Sequence, residues 1–237
     1  MTAVREAARV AVFPVPATTS GFRRVSLALA MMVAPWGFVV ANAAYMWSIR
    51  NGGSDESGAA ALALAAEYGP LLRVGLVAGM IGCLLIVPAV LGALRLAPAS
   101  WAALLGGSLM IAGYVCYFGV LASNFLIIAM AQRGGPLADY AAAIDASQAH
   151  PSTTWVFLLF VLGNLVGTLV FAIGLLRSRA VPGWAAVSIM LWPPLHVIGL
   201  AVFGNEVPQV VGAALQAIGF AGAAAALLRQ RQVTPLR

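Results

Sequence analysis

The sequence contains no lysine and little charge of any kind. Charged residues make up 8% of its 237 positions, where soluble domains carry about a quarter. A water-soluble fold this short of charge has too few polar groups to cover its surface. Cysteine occurs twice, at Cys83 and Cys116, in both cases inside an apolar segment. The pair offers neither a disulfide framework nor a metal-ligand spacing, and reads as small packing residues. Histidine also occurs twice, at His150 and His196. The two fall at different depths of their segments, which speaks against the facing pair that a b-type haem needs. Asp139, Asp145 and His150 share one loop, but their spacing matches no metal motif. No G-x-S-x-G, H-E-x-x-H or P-loop is present, so a hydrolase or nucleotide-driven pump has no support. No cofactor and no metal is expected.

The charge that remains is one-sided. All thirteen basic residues are arginine and the net charge is +6. They are scattered in ones and twos between apolar runs, whereas a nucleic-acid surface clusters them on one face. No nucleic-acid partner is expected.

What the sequence has instead is hydrophobic residues, 62% of the chain. They fall in runs at about 25–49, 71–94, 101–131, 153–176, 183–203 and 208–228. Each reaches the ~20 residues that cross a ~30 Å hydrocarbon core as a helix. The runs are continuously apolar, unlike the alternating strands of a barrel. The fold class expected is an all-α polytopic membrane bundle of six transmembrane helices over 25–228, with tails at 1–24 and 229–237. Arg23-Arg24 before the first run resembles a twin-arginine export signal, but the run is too long for a signal core, and a retained span is expected. The third run is overlong, so it tilts or projects from the bilayer. Ala59–Glu67 and Leu137–Ala146, in the two long loops, are expected to form short surface helices.

Six spans place Arg5, Arg9, Arg23, Arg24, Arg95, Arg177, Arg179, Arg229, Arg231 and Arg237 on one side, and Arg50, Arg73 and Arg133 on the other. The positive-inside rule assigns the arginine-rich side and both termini to the cytoplasm. The acidic residues mirror this: Asp55, Glu56, Glu67, Asp139, Asp145 and Glu206 lie outside and Glu6 inside. The expected location is a bacterial cytoplasmic membrane, with the lipid bilayer as first partner.

Helices in lipid associate through close packing, which small residues at four-residue spacing permit. Gly75 and Gly79, Gly163 and Gly167, and the seven-spaced Gly212 and Gly219 suit intramolecular packing, with a homo-oligomer or a membrane protein partner as the second use. Pro35 and Pro88 lie inside spans. Pro193-Pro194 should break the fifth, freeing the carbonyls of Ile189 and Met190.

Polar residues inside a membrane are costly and so become site candidates. Those in the outer halves of the spans are Asn42, Tyr45, Ser123, Asn124 and His196, with Asn164 nearer mid-membrane and Asn205, Glu206 and Arg73 at span ends. The inner halves offer only Ser26, Ser108, Thr168 and Ser188. This asymmetry points to a polar cavity opening outward. Asn42, Asn124, Asn164 and His196 are the candidate ligand-binding residues. His196 and Glu206 are the candidate proton-handling groups if the protein is an intramembrane enzyme.

The segment Gly174-Leu175-Leu176-Arg177-Ser178-Arg179-Ala180-Val181-Pro182-Gly183-Trp184 resembles the hinge between the fourth and fifth spans of small six-span membrane proteins of unassigned function from high-GC bacteria. The Ala- and Arg-rich, Lys-free composition is similar to theirs. The resemblance implies the class and supplies no catalytic residues. The leading expectation is a non-enzymatic membrane protein, either a small-solute transport component or an interaction subunit. The rival is the intramembrane enzyme around His196.

Overall fold

The computed structural model describes residues 17–230, and among them there is no strand. Of the expected tails at 1–24 and 229–237, residues 1–16 and 231–237 lie outside the described residues. The elements are α1 (Ala17–Ile49), α2 (Gly58–Leu94), α3 (Trp101–Arg133), α4 (Leu137–Ala149), α5 (Pro151–Val161), α6 (Thr168–Arg177), α7 (Gly183–Met190), α8 (Trp192–Ile198) and α9 (Val207–Arg229). A π-helical turn, Leu162–Gly167, joins α5 to α6, and a second, Gly199–Phe203, follows α8.

Among the described residues, five helical stretches are long and apolar enough to cross a bilayer: Gly21–Ile49, α2, α3, Pro151–Arg177 and α9. The segment expected as the fifth span differs. It breaks at Leu191, leaving α7 and α8 as a shorter apolar helix, Gly183–Ile198. The cause is Pro193-Pro194, which remove two backbone donors in succession. Pro35 and Pro88, by contrast, do not break their helices, and the departure from helical geometry inside α2 lies at Tyr68.

Two boundaries differ from expectation. The first helix begins by Ala17, ahead of residue 25. The loop expected over 50–70 shortens to 50–57, because Ala59–Glu67 forms the first turns of α2 instead of a separate surface helix. Ser57 caps that start, accepting from Ala60 N–H, and Tyr68 leaves helical geometry (φ −112°, ψ 15°) just before Pro70. Pro70 removes a backbone donor and crowds the carbonyl of Ala66 one turn back, which kinks the helix at this point. The second predicted surface helix is present as α4. At 37 and 33 residues, α2 and α3 measure about 55 and 50 Å at 1.5 Å per residue, more than the ~30 Å core. Their excess lies where α4 packs on both.

Contacts at the helix ends fix an antiparallel bundle. Arg24 Nη1 donates to Gln230 O (2.6 Å), bringing the start of α1 to the end of α9. Ser100 Oγ donates to Gly174 O (3.3 Å), joining the start of α3 to α6. At the opposite end, Gly58 N donates to Asp145 Oδ1 (2.6 Å) and Arg73 Nη2 to Gln132 Oε1 (2.9 Å).

The packing is made by small residues. Ala34, Ala89, Ala93, Ala103, Ala185 and Ala223 are fully buried or nearly so, while Leu84, Val74, Leu126 and Trp155 lie on the exterior. A soluble monomer rarely exposes apolar surface on this scale, but a lipid-facing bundle with small residues at its helix contacts does so throughout. The glycine pairs are all used within the chain. Gly75 and Gly79 face Ala44, Ala41 and Leu121, and Gly212 and Gly219 face α7 and α8. The closest seam joins α3 to α5–α6. A methyl group on Gly163 would sit 2.5 Å from Gly113 Cα, and one on Gly167 2.7 Å from Met110 N.

Candidate functional site

One cavity of about 350 Å³ opens among α1, α2, α3, α5, α8 and the start of α9. This volume falls at the small end of the range for small-molecule sites, roughly 300–1,000 Å³. Asp55, on the link after α1, lines it and is exposed, so the mouth lies at the bundle end that carries α4. Of the expected site residues, Asn42 comes from α1, Asn124 from α3, His196 from α8 and Glu206 from the link before α9, and all four line this cavity. Tyr45, Asp55, Tyr117 and Gln209 join them.

Each polar group has a distinct state. Asn42 Nδ2 donates to Phe38 O (2.8 Å) and Asn124 Nδ2 to Val120 O (3.2 Å), so both amides are anchored to their own helices. Tyr45 Oη donates to Asp55 Oδ1 at 2.7 Å. Glu206 is 7% exposed, and no hydrogen bond or ion pair to its carboxylate is found among the described residues. Burial, and to a lesser degree the charge of Asp55, push the Glu206 carboxyl above the usual carboxylate range. His196 packs its ring against Trp192 (5.1 Å between centroids), and its Nδ1 is buried without a partner. The wall opposite is aromatic: Tyr117 stacks on Phe160 at 4.3 Å, and Phe157 meets Phe160 edge-on at 5.8 Å.

Asn164 is not among the residues lining the cavity. It sits in the π-helical turn, 4% exposed, and its Oδ1 accepts from Trp192 Nε1 at 3.1 Å. It therefore reaches the site only through Trp192, the residue against which His196 packs. Ser123, Arg73 and Asn205 also lie elsewhere. Ser123 donates to Val120 O, and Asn205 Oδ1 accepts from Val207 N–H. His150 caps α5 through Nδ1, which accepts from Ser152 N–H, and Asp145 caps the start of α2. No group of three His, Cys, Asp or Glu placed to hold a metal occurs among the described residues.

Gln209, Tyr117 and the Phe157–Phe160 pair are the lining residues that sequence reasoning missed. Gln209 carried a signal, being three residues beyond Glu206 and thus one helical turn away. The aromatics carried none, since Phe and Tyr in an apolar run are ordinary. Comparison of the chain with family models, curated proteins and solved structures finds no match.

Proposed function

We propose that the protein is a six-span, N-in/C-in protein of a bacterial cytoplasmic membrane, and that it binds a small solute in the outward-facing cavity as a transport component. The carrying observation is the convergence of Asn42, Asn124, His196 and Glu206, from four separate segments, on one cavity. The arginine split supports the orientation, with the cavity mouth on the arginine-poor side. Exposed tryptophans support a bilayer setting. Trp47 and Trp155 lie near the outer helix ends, and Trp101 and Trp184 near the inner ones, as in the aromatic belts at membrane interfaces. The broken segment from Gly183 to Phe203 serves as the fifth span, and irregular backbone at membrane depth is tolerated where protein covers it, as at the fully buried Ile189.

Binding is favoured over catalysis by the state of the polar groups. The donor groups of Asn42 and Asn124 already bond their own helices, and His196 makes no hydrogen bond to Glu206. An enzyme needs a base within hydrogen-bond reach of its partner. The test is cysteine accessibility in a variant whose own Cys83 and Cys116 are replaced by serine or alanine. Asn42→Cys and Asn124→Cys should react with a small membrane-impermeant thiol reagent added outside, and Asn164→Cys should not. Reaction of the first two only from the cytoplasmic side, or not at all, refutes the reading.

A further inference from the structure

We infer that the solute is an organic cation, a protonated amine carried on a compact aromatic or apolar body. The inference rests on the cavity reading above. The first ground is charge. Glu206 lines the cavity, is 93% removed from solvent, and has no hydrogen bond or ion pair to its carboxylate among the described residues. Its carboxylate oxygens keep access to the open cavity, where a ligand can meet them. Asp55 adds a second carboxylate at the mouth, and among the described residues no arginine lines the cavity. Arg50, the basic residue on the same link, is turned away: its guanidinium lies 4.3 Å from the Trp47 ring centroid and bonds Trp47 O. Where Glu206 and Asp55 are ionised, the site carries negative charge with no arginine among the lining residues to balance it, and a bound cation supplies that balance.

The second ground is the wall. Tyr117, Phe160 and Phe157 line the same space, Tyr117 and Phe160 stacked on each other and Phe157 edge-on to Phe160. Aromatic faces attract organic cations and accommodate apolar bodies. A bare metal ion fits poorly, since hard cations take six or more oxygen ligands in a close shell and most of this lining is carbon. The amides of Asn42 and Asn124, fixed by their own helices, leave their oxygens as acceptors for ammonium N–H. At about 350 Å³ the cavity suits a single-ring body.

The experiment uses the full chain in nanodiscs at pH 8, titrated calorimetrically with phenethylammonium, neutral benzyl alcohol and phenylacetate. Saturable binding of phenethylammonium, with at least tenfold weaker binding of the other two, is expected. Glu206→Gln should weaken the cation at least tenfold and leave benzyl alcohol unchanged, a difference that misfolding would not produce. A milder loss is expected for Asp55→Asn. Equal or tighter binding of phenylacetate, an unchanged cation affinity in Glu206→Gln, or binding of none of the three overturns the inference. Repeating the titration in discs with and without phosphatidylethanolamine separates the sources of the amine. Competition by that lipid assigns the site to a headgroup ammonium, and its absence to a free solute. If Asn42→Cys and Asn124→Cys label from outside while no probe binds, the cation inference alone fails. If they do not label, the cavity reading fails with it.

Discussion

Gly163→Ala and Gly119→Ala make the same chemical change on neighbouring spans and should have opposite signs. In a helix interior, replacing glycine by alanine gains up to about 1 kcal/mol from reduced backbone freedom. At Gly119 a methyl group meets nothing within 4 Å, so that gain stands alone. At Gly163 the methyl carbon would lie 2.5 Å from Gly113 Cα, whereas carbon atoms pack best at about 3.5–4.0 Å. The obstacle is backbone, which has no rotamer to move away. The two spans must part by about 1 Å, and contacts along the seam lose a quarter to a half of their attraction over such a gap. Overpacking of this kind costs about 1–3 kcal/mol. Net destabilisation by about 1–2 kcal/mol is expected for Gly163→Ala, and stabilisation by about 0.5–1 kcal/mol for Gly119→Ala. Reversible SDS-driven unfolding, followed by tryptophan fluorescence, measures both. Equal stabilisation by the two variants would refute the backbone seam between α3 and α5–α6.

Asn164→Leu should cost about 1–3 kcal/mol, because Trp192 Nε1 is left buried without an acceptor; SDS unfolding measures it, and cavity cysteines should still label. Gln216 is fully buried beside Tyr114, yet neither amide atom reaches hydrogen-bond geometry. Gln216→Leu should therefore stabilise by about 1–3 kcal/mol in the same assay. Glu206→Gln should raise the thermal midpoint above neutral pH and have no effect near pH 4. The raised carboxyl keeps its proton in the folded state after the unfolded chain has lost it near pH 4.3, so wild-type stability falls as pH rises through the folded value. Asp55, Tyr45 and His196 face the same cavity, and comparing the difference between variant and wild type across pH isolates Glu206. Reporter fusions at Asp55 and Arg237 should read external and cytoplasmic, and the reverse would sink the orientation.

The long helices were legible because continuous apolar runs report burial in lipid whatever the tertiary packing. The break at Pro193-Pro194 was legible for a local reason, the missing donors. The start of α2 was not. The apolar run reads as starting at 71, but Leu62, Leu64 and Ala65 bury against the rest of the fold and join Ala59–Glu67 to the span as one helix. For the site, polar residues in apolar runs were visible one by one, and Asn42, Asn124, His196 and Glu206 share a cavity. Asn164 looked identical in sequence. What separates it is rotation about the helix axis, altered by a π-helical turn that apolar periodicity does not encode. Asp55 read as a topology marker, and only the fold brings it beside Glu206.

The double proline also divides the cavity by stiffness. On one side Asn124, Tyr117, Phe157 and Phe160 belong to two spans whose backbones touch one turn further in, at Gly113 and Gly163. On the other, His196 hangs from α8, a seven-residue helix bounded by a turn at Leu191 and a π-helical turn at Gly199–Phe203. Two interrupted backbone ladders within one segment make it the compliant wall. A solute entering past Asp55 would meet the aromatic wall on one side and, on the other, an imidazole carried by the segment with the more interrupted backbone.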